Sequence, residues 1–131
     1  MINSVFQKVY VITCDLFVDR HNYIRQHFAK NNIKYEFHSA VKNSMFSPVG
    51  ISSSEFSLAL AHLHCIIDAK LNGYEQILIC EDDVELCSDF SNKFSEFVSV
   101  IKPDWHFLQL GNQYWATQWL VRKIVAPNLY R

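Results

Sequence analysis

Very little in this chain interrupts a fold. Its 131 residues include only three glycines and three prolines, and no Gly-, Ser- or Pro-rich run separates one part from another. That excludes a flexible linker and a low-complexity segment. No internal repeat is present, so solenoids and propellers are excluded too. The four cysteines, Cys14, Cys65, Cys80 and Cys87, form no C-x-x-C pair and match no common zinc spacing. Three lie in apolar surroundings, as expected for buried free thiols in a reducing compartment. Lys and Arg are scattered and the net charge is -1, which gives no electrostatic footprint for nucleic acid. No apolar stretch has the length of a membrane span. The start Met1-Ile2-Asn3-Ser4-Val5 lacks a charged segment followed by an apolar one, so no cleaved export signal is expected and the chain reads as cytoplasmic.

What is present is apolar. Half of the residues are hydrophobic and 15% are aromatic, ample for the core of one domain covering residues 1–131. Val9-Tyr10-Val11-Ile12-Thr13 is a β-branched and aromatic run that predicts a strand. Residues 19–31 follow with helical character, capped by Asp19 and carrying Tyr23, Ile24, His27 and Phe28 on one side. Residues 34–38 read as a second short strand. Pro48 and Gly50 mark 44–51 as a loop.

The clearest helix comes next. Ser52 and Glu55 form a capping-box signature. Phe56, Ala59, Leu60, Leu63, Ile66, Ile67 and Leu71 then recur at helical spacing, which predicts that this face is buried, and Gly73 ends the helix. Gln76-Ile77-Leu78-Ile79-Cys80 shows no alternation, so it reads as a strand covered on both faces. Residues 89–101 form a second amphipathic pattern, with Phe90, Phe94, Phe97, Val98 and Ile101 on one face and Pro103 closing it. A further strand is expected over 105–110 and another over 118–126. Strands alternating with helices predict an α/β fold with a mostly parallel sheet and helices on both faces, where ligands gather at the carboxyl ends of strands.

Glu81-Asp82-Asp83 occupies that position. Three adjacent carboxylates repel one another unless a cation or hydrogen-bond donors offset the charge. Hard carboxylate oxygens suit Mg²⁺ or Mn²⁺, which share their remaining positions with phosphate and water. The competing reading is a solvated strand-to-helix loop whose acids support a helix start.

The stretch Ser54-Glu55-Phe56-Ser57-Leu58-Ala59-Leu60-Ala61-His62-Leu63, then Gly73-Tyr74, then Ile77-Leu78-Ile79-Cys80-Glu81-Asp82-Asp83-Val84-Glu85, resembles glycosyltransferase family 25. Val9-Tyr10-Val11-Ile12 with downstream Arg20, the pair Ala40-Val41, and Trp105, Leu108, Leu110 and Gly111 extend the likeness over about residues 8–111. The resemblance implies a GT-A-like fold and a metal-dependent transfer of a sugar, galactose first among the choices. The donor would be a nucleotide diphosphate such as UDP-galactose, and the acceptor a lipooligosaccharide or other glycan. It implies Mn²⁺ or Mg²⁺ held by Asp83 and Glu81, and donor contacts from Asp15, Arg20, His62, Glu81 and Asp82. No catalytic base is implied at a nameable position. If the backbone stays extended, Asp82 points away from its two neighbours.

Each of these residues has a plainer reading. Glu55 is explained by its cap, Arg20 by a solvated helix start, Asp15 by a turn, and His62 by packing at the core edge. His64 is expected to be structural. The sequence departs from the family at Ala61, where a serine is usual, and at Cys14-Asp15. It is also shorter than family members usually are, so the acceptor-binding part is expected to be missing. This keeps a second reading open, a non-catalytic remnant that binds a nucleotide sugar or a partner. A phosphoacceptor receiver-like domain fits worse, because its acid pair would follow the first strand. Tyr114, Trp115 and Trp119 are candidates to stack on a sugar, or to form an apolar patch that leads to a homodimer; peripheral membrane contact is a separate expectation that comes with the resemblance.

Overall fold

The structure is a computed structural model. It describes residues 2–40, 49–102 and 104–111, and the backbone of 124–126 and 129–130. Two compact units divide the chain, residues 1–88 and 89–131.

The first unit opens with a short helix α1 (Ile2–Val5) and continues through β1 (Lys8–Thr13), α2 (Val18–Lys30), β2 (Glu36–Ser39), α3 (Ser53–Asn72) and β3 (Ile77–Glu81). The three strands form one parallel sheet in the order β2-β1-β3. Parallel pairing needs a long crossover, which α2 and α3 supply. This is the predicted α/β arrangement with a parallel sheet.

β1 is the central strand, and five of its six residues are buried. Alternation sends its side chains to two faces. Tyr10 and Ile12 meet Ala61, Cys65 and Ala69 of α3, with Ile77 and Ile79 of β3 packed alongside. Thr13 faces α2, where His21 reaches its hydroxyl. Phe37, paired with Val11 in register, lies against the His21 ring on that same face. Helices therefore cover both faces of the sheet.

Several local expectations change. β3, expected to be covered on both faces, is only partly buried. It lies at one edge of the three-stranded sheet, so the strand buried on both faces is β1 instead. Asp19 does not cap α2. Phe17 is the N-cap residue, with no side-chain cap bond, and Asp19 lies in the first turn, where a carboxylate still complements the helix dipole.

α3 is capped as its sequence predicts. The Ser52 hydroxyl accepts from Glu55 N–H, Glu55 Oε2 accepts from Ser52 N–H at 2.9 Å, and Gly73 closes the far end in the left-handed region at φ 72°. The Ser52 hydroxyl also donates to Glu55 Oε2 at 2.6 Å, and this bond, with the one from the Ser52 backbone, holds the Glu55 carboxyl below its usual value. Its buried face is not the predicted one, however. Ser57, Ala61, Cys65 and Ala69 face the core, while Leu63, Ile66, Ile67 and Leu71 are exposed. The small residues let the helix lie close over Tyr10, whose hydroxyl donates to Asp68 at 2.5 Å across the same interface. Burial and this bond push the Tyr10 phenol well above its ordinary range.

The second unit contains α4 (Phe90–Val100) and an antiparallel pair, β4 (Ile124–Ala126) with β5 (Leu129–Tyr130). α4 buries Phe94, which lies against the rings of Phe90 and Phe97, so the predicted aromatic stripe is present. The strand expected over 105–110 does not form. No neighbouring strand pairs with this segment among the described residues, and Phe107 and Leu110 are exposed. Most of the strand expected over 118–126 lies outside the described residues, as do Tyr114, Trp115 and Trp119.

Candidate functional site

The chain leaves β1 toward β2 on one side and returns to β3 on the other. The carboxyl ends of β1 and β3 therefore flank a topological switch point, where open α/β sheets bind ligands. Thr13 ends β1 and Glu81 ends β3, with Asp82 and Asp83 in the turn that follows.

The register explains how the triplet divides. Ile12 pairs with Glu81 and Val11 with Cys80. Glu81 thus shares a face with Ile12, on the α3 side, and Asp82 continues the Cys80 face, on the α2 side. On the α3 side, His62 Nε2 stands 3.7 Å from Glu81 Oε1, with both side chains substantially exposed. That is an ion-pair distance when the imidazole is charged and is too long for a hydrogen bond.

On the α2 side, Asp82 is only 6% exposed. The Thr13 hydroxyl donates to its Oδ2 at 2.7 Å, and Arg20 Nη1 donates to its Oδ1 at 2.6 Å. The Asp82 carboxylate raises the pKa of the Arg20 guanidinium above its ordinary value. The Arg20 side chain remains half exposed, so much of its fork is still open to solvent. Asp83 is exposed. Asp15, also exposed, accepts a hydrogen bond from the Ser39 hydroxyl at 2.7 Å, which ties the loop after β1 to the end of β2.

Arg20 and Asp82, and His62 and Glu81, are therefore brought together in pairs. Asp15 is joined to Ser39 instead. His64 lies on α3 near His38, whose ring also meets Tyr10 edge-on. The sequence reading passed over Thr13 and His21. The available signal was Thr13 itself, the one aliphatic hydroxyl in the run Val9–Thr13, which burial obliges to find partners. It also passed over His27 as a polar contact. His27 Nε2 accepts from the backbone N–H of Leu86 at 2.8 Å, so α2 also holds the loop beyond the acidic turn.

Among the described residues, no group of three or more His, Cys, Asp or Glu side chains is placed to hold a metal ion. A cation here would instead have the exposed Glu81 and Asp83, since Asp82 is committed to Thr13 and Arg20. One or two protein carboxylates, with phosphate and water completing the shell, is the donor set that Mg²⁺-type ions take at nucleotide sites. The residues fit an ion that arrives with a phosphate ligand and do not form a cage for a bare one.

The described residues contain no helix long and apolar enough to cross a membrane. The cysteines described are free. No curated protein matches the chain. The family model of glycosyltransferase family 25, described as LPS biosynthesis protein, matches residues 6–129. That span takes in both strand ends at the switch point, the capped helix beside them and the acidic turn, and on this match the chain belongs to glycosyltransferase family 25.

Proposed function

We propose that the chain binds a nucleotide-diphosphate sugar, UDP-galactose being the first candidate, at the carboxyl ends of β1 and β3. The sugar passes to a hydroxyl of a lipooligosaccharide or other glycan. The observation that carries this reading is the exposure of Glu81 and Asp83 at the switch point, beside a half-exposed Arg20, in a chain of a glycosyltransferase family.

The parts have distinct tasks in this reading. The outward nitrogens of Arg20 meet diphosphate oxygens, which a planar guanidinium matches well. Glu81 and Asp83 hold Mn²⁺ or Mg²⁺, which when bound offsets the charge that develops on the departing diphosphate. His62 orients Glu81 from the α3 side. Asp15 reaches the ribose or base from the loop after β1. In the transfer itself the acceptor oxygen bonds to the anomeric carbon, the bond from that carbon to the diphosphate oxygen breaks, and the acceptor proton passes to a base. The parallel sheet with helices on both faces supports reading it as a GT-A-like nucleotide-binding half.

The alternative of a non-catalytic remnant drew support from Ala61, where the family has a serine. In this chain position 61 is fully buried against β1, so that difference concerns helix packing and says little about ligand contact.

Thermal unfolding with Mn²⁺ and UDP tests the proposal. At a ligand concentration one hundred times Kd, binding stabilises the folded chain by about 2.7 kcal/mol. The stabilisation is expected for the wild type with both ligands and lost in Asp83→Asn, with little effect from Mn²⁺ alone. No shift in the wild type would sink donor binding. Turnover of a labelled donor then separates an enzyme from a binder.

A further inference from the structure

Asp82 is held by a polar chain that extends beyond its ion pair. Thr13 has one hydroxyl proton. Two acceptors stand near it, Asp82 Oδ2 at 2.7 Å and the Cys14 carbonyl at 3.5 Å. A carboxylate has no proton to offer, so a 2.7 Å approach requires that Thr13 donate to Asp82. The hydroxyl oxygen then acts as acceptor toward His21 Nε2, 2.8 Å away. His21 must therefore carry its proton on Nε2. Its ring is steadied by Phe37, at 4.7 Å between centroids.

This chain joins three elements. Thr13 is the last residue of β1, Arg20 and His21 lie in the first turn of α2, and Asp82 begins the turn after β3. The turn is closed by one backbone bond, from Val84 N–H to the Glu81 carbonyl at 3.2 Å. Farther along α2, His27 accepts the Leu86 N–H. α2 thus grips the acidic loop at two points, and Asp82 is the inner one.

We infer that Thr13 and His21 are positioning residues for the donor site: with Arg20 they lock Asp82 inward, and so fix the backbone that presents Glu81 and Asp83 outward to a cation-bound nucleoside diphosphate. The inference rests on the donor-site reading above for its ligand and on the hydrogen-bond chain alone for its mechanics. Without the Thr13 hydroxyl, Asp82 Oδ2 loses its protein donor, and its carboxylate is free to rotate toward water. Glu81 and Asp83, which share its backbone, then lose their fixed separation.

The test uses the whole chain and reads the two parts separately. Long-range ¹H–¹⁵N correlation is expected to show His21 as the Nε2–H tautomer. Solvent exchange at the Val84 amide is expected to speed up tenfold or more in Thr13→Val and to stay within twofold of wild type in Thr13→Ser, which restores the hydroxyl. His21→Gln, which can offer an N–H at a similar reach, is expected to lie close to wild type, and His21→Leu, which keeps the Thr13 donor but leaves it unoriented, to speed exchange by less than Thr13→Val but clearly above wild type. Should Thr13→Val fail to fold by circular dichroism, His21→Leu at its half-buried position carries the comparison. The Kd for UDP with Mn²⁺ is expected to rise at least tenfold in the variants that lose the chain and to recover in Thr13→Ser. Unchanged Val84 exchange in Thr13→Val and His21→Leu, or an Nδ1–H tautomer, overturns the lock. Faster exchange with unchanged Kd overturns its role in presenting the acids. A wild type that binds no UDP overturns the donor reading and the ligand role together, while the exchange data still decide the lock.

Discussion

The orientation of α3 can be decided by two substitutions whose effects trade places under the two possible rotations. Ala61 is fully buried among Tyr10, Ile12, Cys65 and Ala69. Replacing it with Leu adds three carbons where the helix lies close to the sheet. Overpacking of that kind typically costs about 1–3 kcal/mol. Ile66, on the other side, is 53% exposed. Full burial of an Ile side chain is worth about 1.5–3 kcal/mol, so roughly half of that is at stake. A Lys stem keeps part of the contact while its amine stays in water, which brings the expected cost of Ile66→Lys below about 1 kcal/mol. Had the aliphatic stripe faced the sheet, Ile66→Lys would bury an unpaired ammonium and cost several kcal/mol, while Ala61→Leu would be nearly neutral on a solvated surface. Urea unfolding followed by far-UV circular dichroism measures both. The expected order is Ala61→Leu well below wild type and Ile66→Lys close to it. An Ile66→Lys variant less stable than Ala61→Leu would refute this packing.

Two further predictions concern polar groups. Asp82→Ala is expected to cost about 3 kcal/mol, the low end for breaking a buried pair, because Arg20 is half exposed and can return to water. A double-mutant cycle with Arg20→Ala should give a coupling above about 1 kcal/mol, and a coupling near zero would show that the pair is not formed in solution. Stability should also fall at alkaline pH. Burial pushes the Cys65 thiol up to about 11 and the Cys80 thiol up to about 12, from an ordinary value of 9.0. The folded chain keeps these protons longer than the unfolded one, so their contribution is complete below pH 9 and is lost as pH rises through 11 and 12. Urea midpoints at pH 8 and 10.5 should differ, with a smaller difference in Cys65→Ala; equal midpoints in the wild type would contradict the burial of these thiols.

The parts of the fold that were legible in the sequence are those set by local chemistry. Val9–Thr13 is β-branched and aromatic, Ser52 and Glu55 cap a helix, and Gly73 supplies the left-handed residue that ends it. All three features recur in the structure. The rotation of α3 was not legible. Its Leu and Ile residues and its Ser, Ala and Cys residues both recur at helical spacing, and periodicity alone does not choose between two such stripes. The choice depends on Tyr10, a large side chain on a distant strand that favours small residues above it. The 105–110 segment failed for a related reason. Strand propensity measures fit to a sheet, and among the described residues no strand offers this segment a pairing edge. At the site, alternation already indicated that Asp82 turns away from Glu81, and the register assigns the faces. The partners that hold it, Thr13 and Arg20, lie 69 and 62 residues away in sequence, and their pairing with it was not accessible to a local reading.

The division of the triplet also changes the argument for a cation. Three adjacent carboxylates in sequence suggest a repulsion that needs a counter-ion. In the fold that repulsion is already reduced. Asp82 is ion-paired with Arg20 and accepts the Thr13 hydroxyl on the α2 side, and Glu81 lies 3.7 Å from His62 on the α3 side. Asp83 remains exposed, where water screens it. Relief of repulsion within the turn is therefore a weaker reason for a cation than the triplet alone suggests. The stronger reason is chemical, the charge on a departing diphosphate. This sets an order of events that can be observed. Mn²⁺ should bind weakly alone and much more tightly once a nucleoside diphosphate supplies the missing oxygen ligands, and Asp83→Asn should diminish that gain without unfolding the chain.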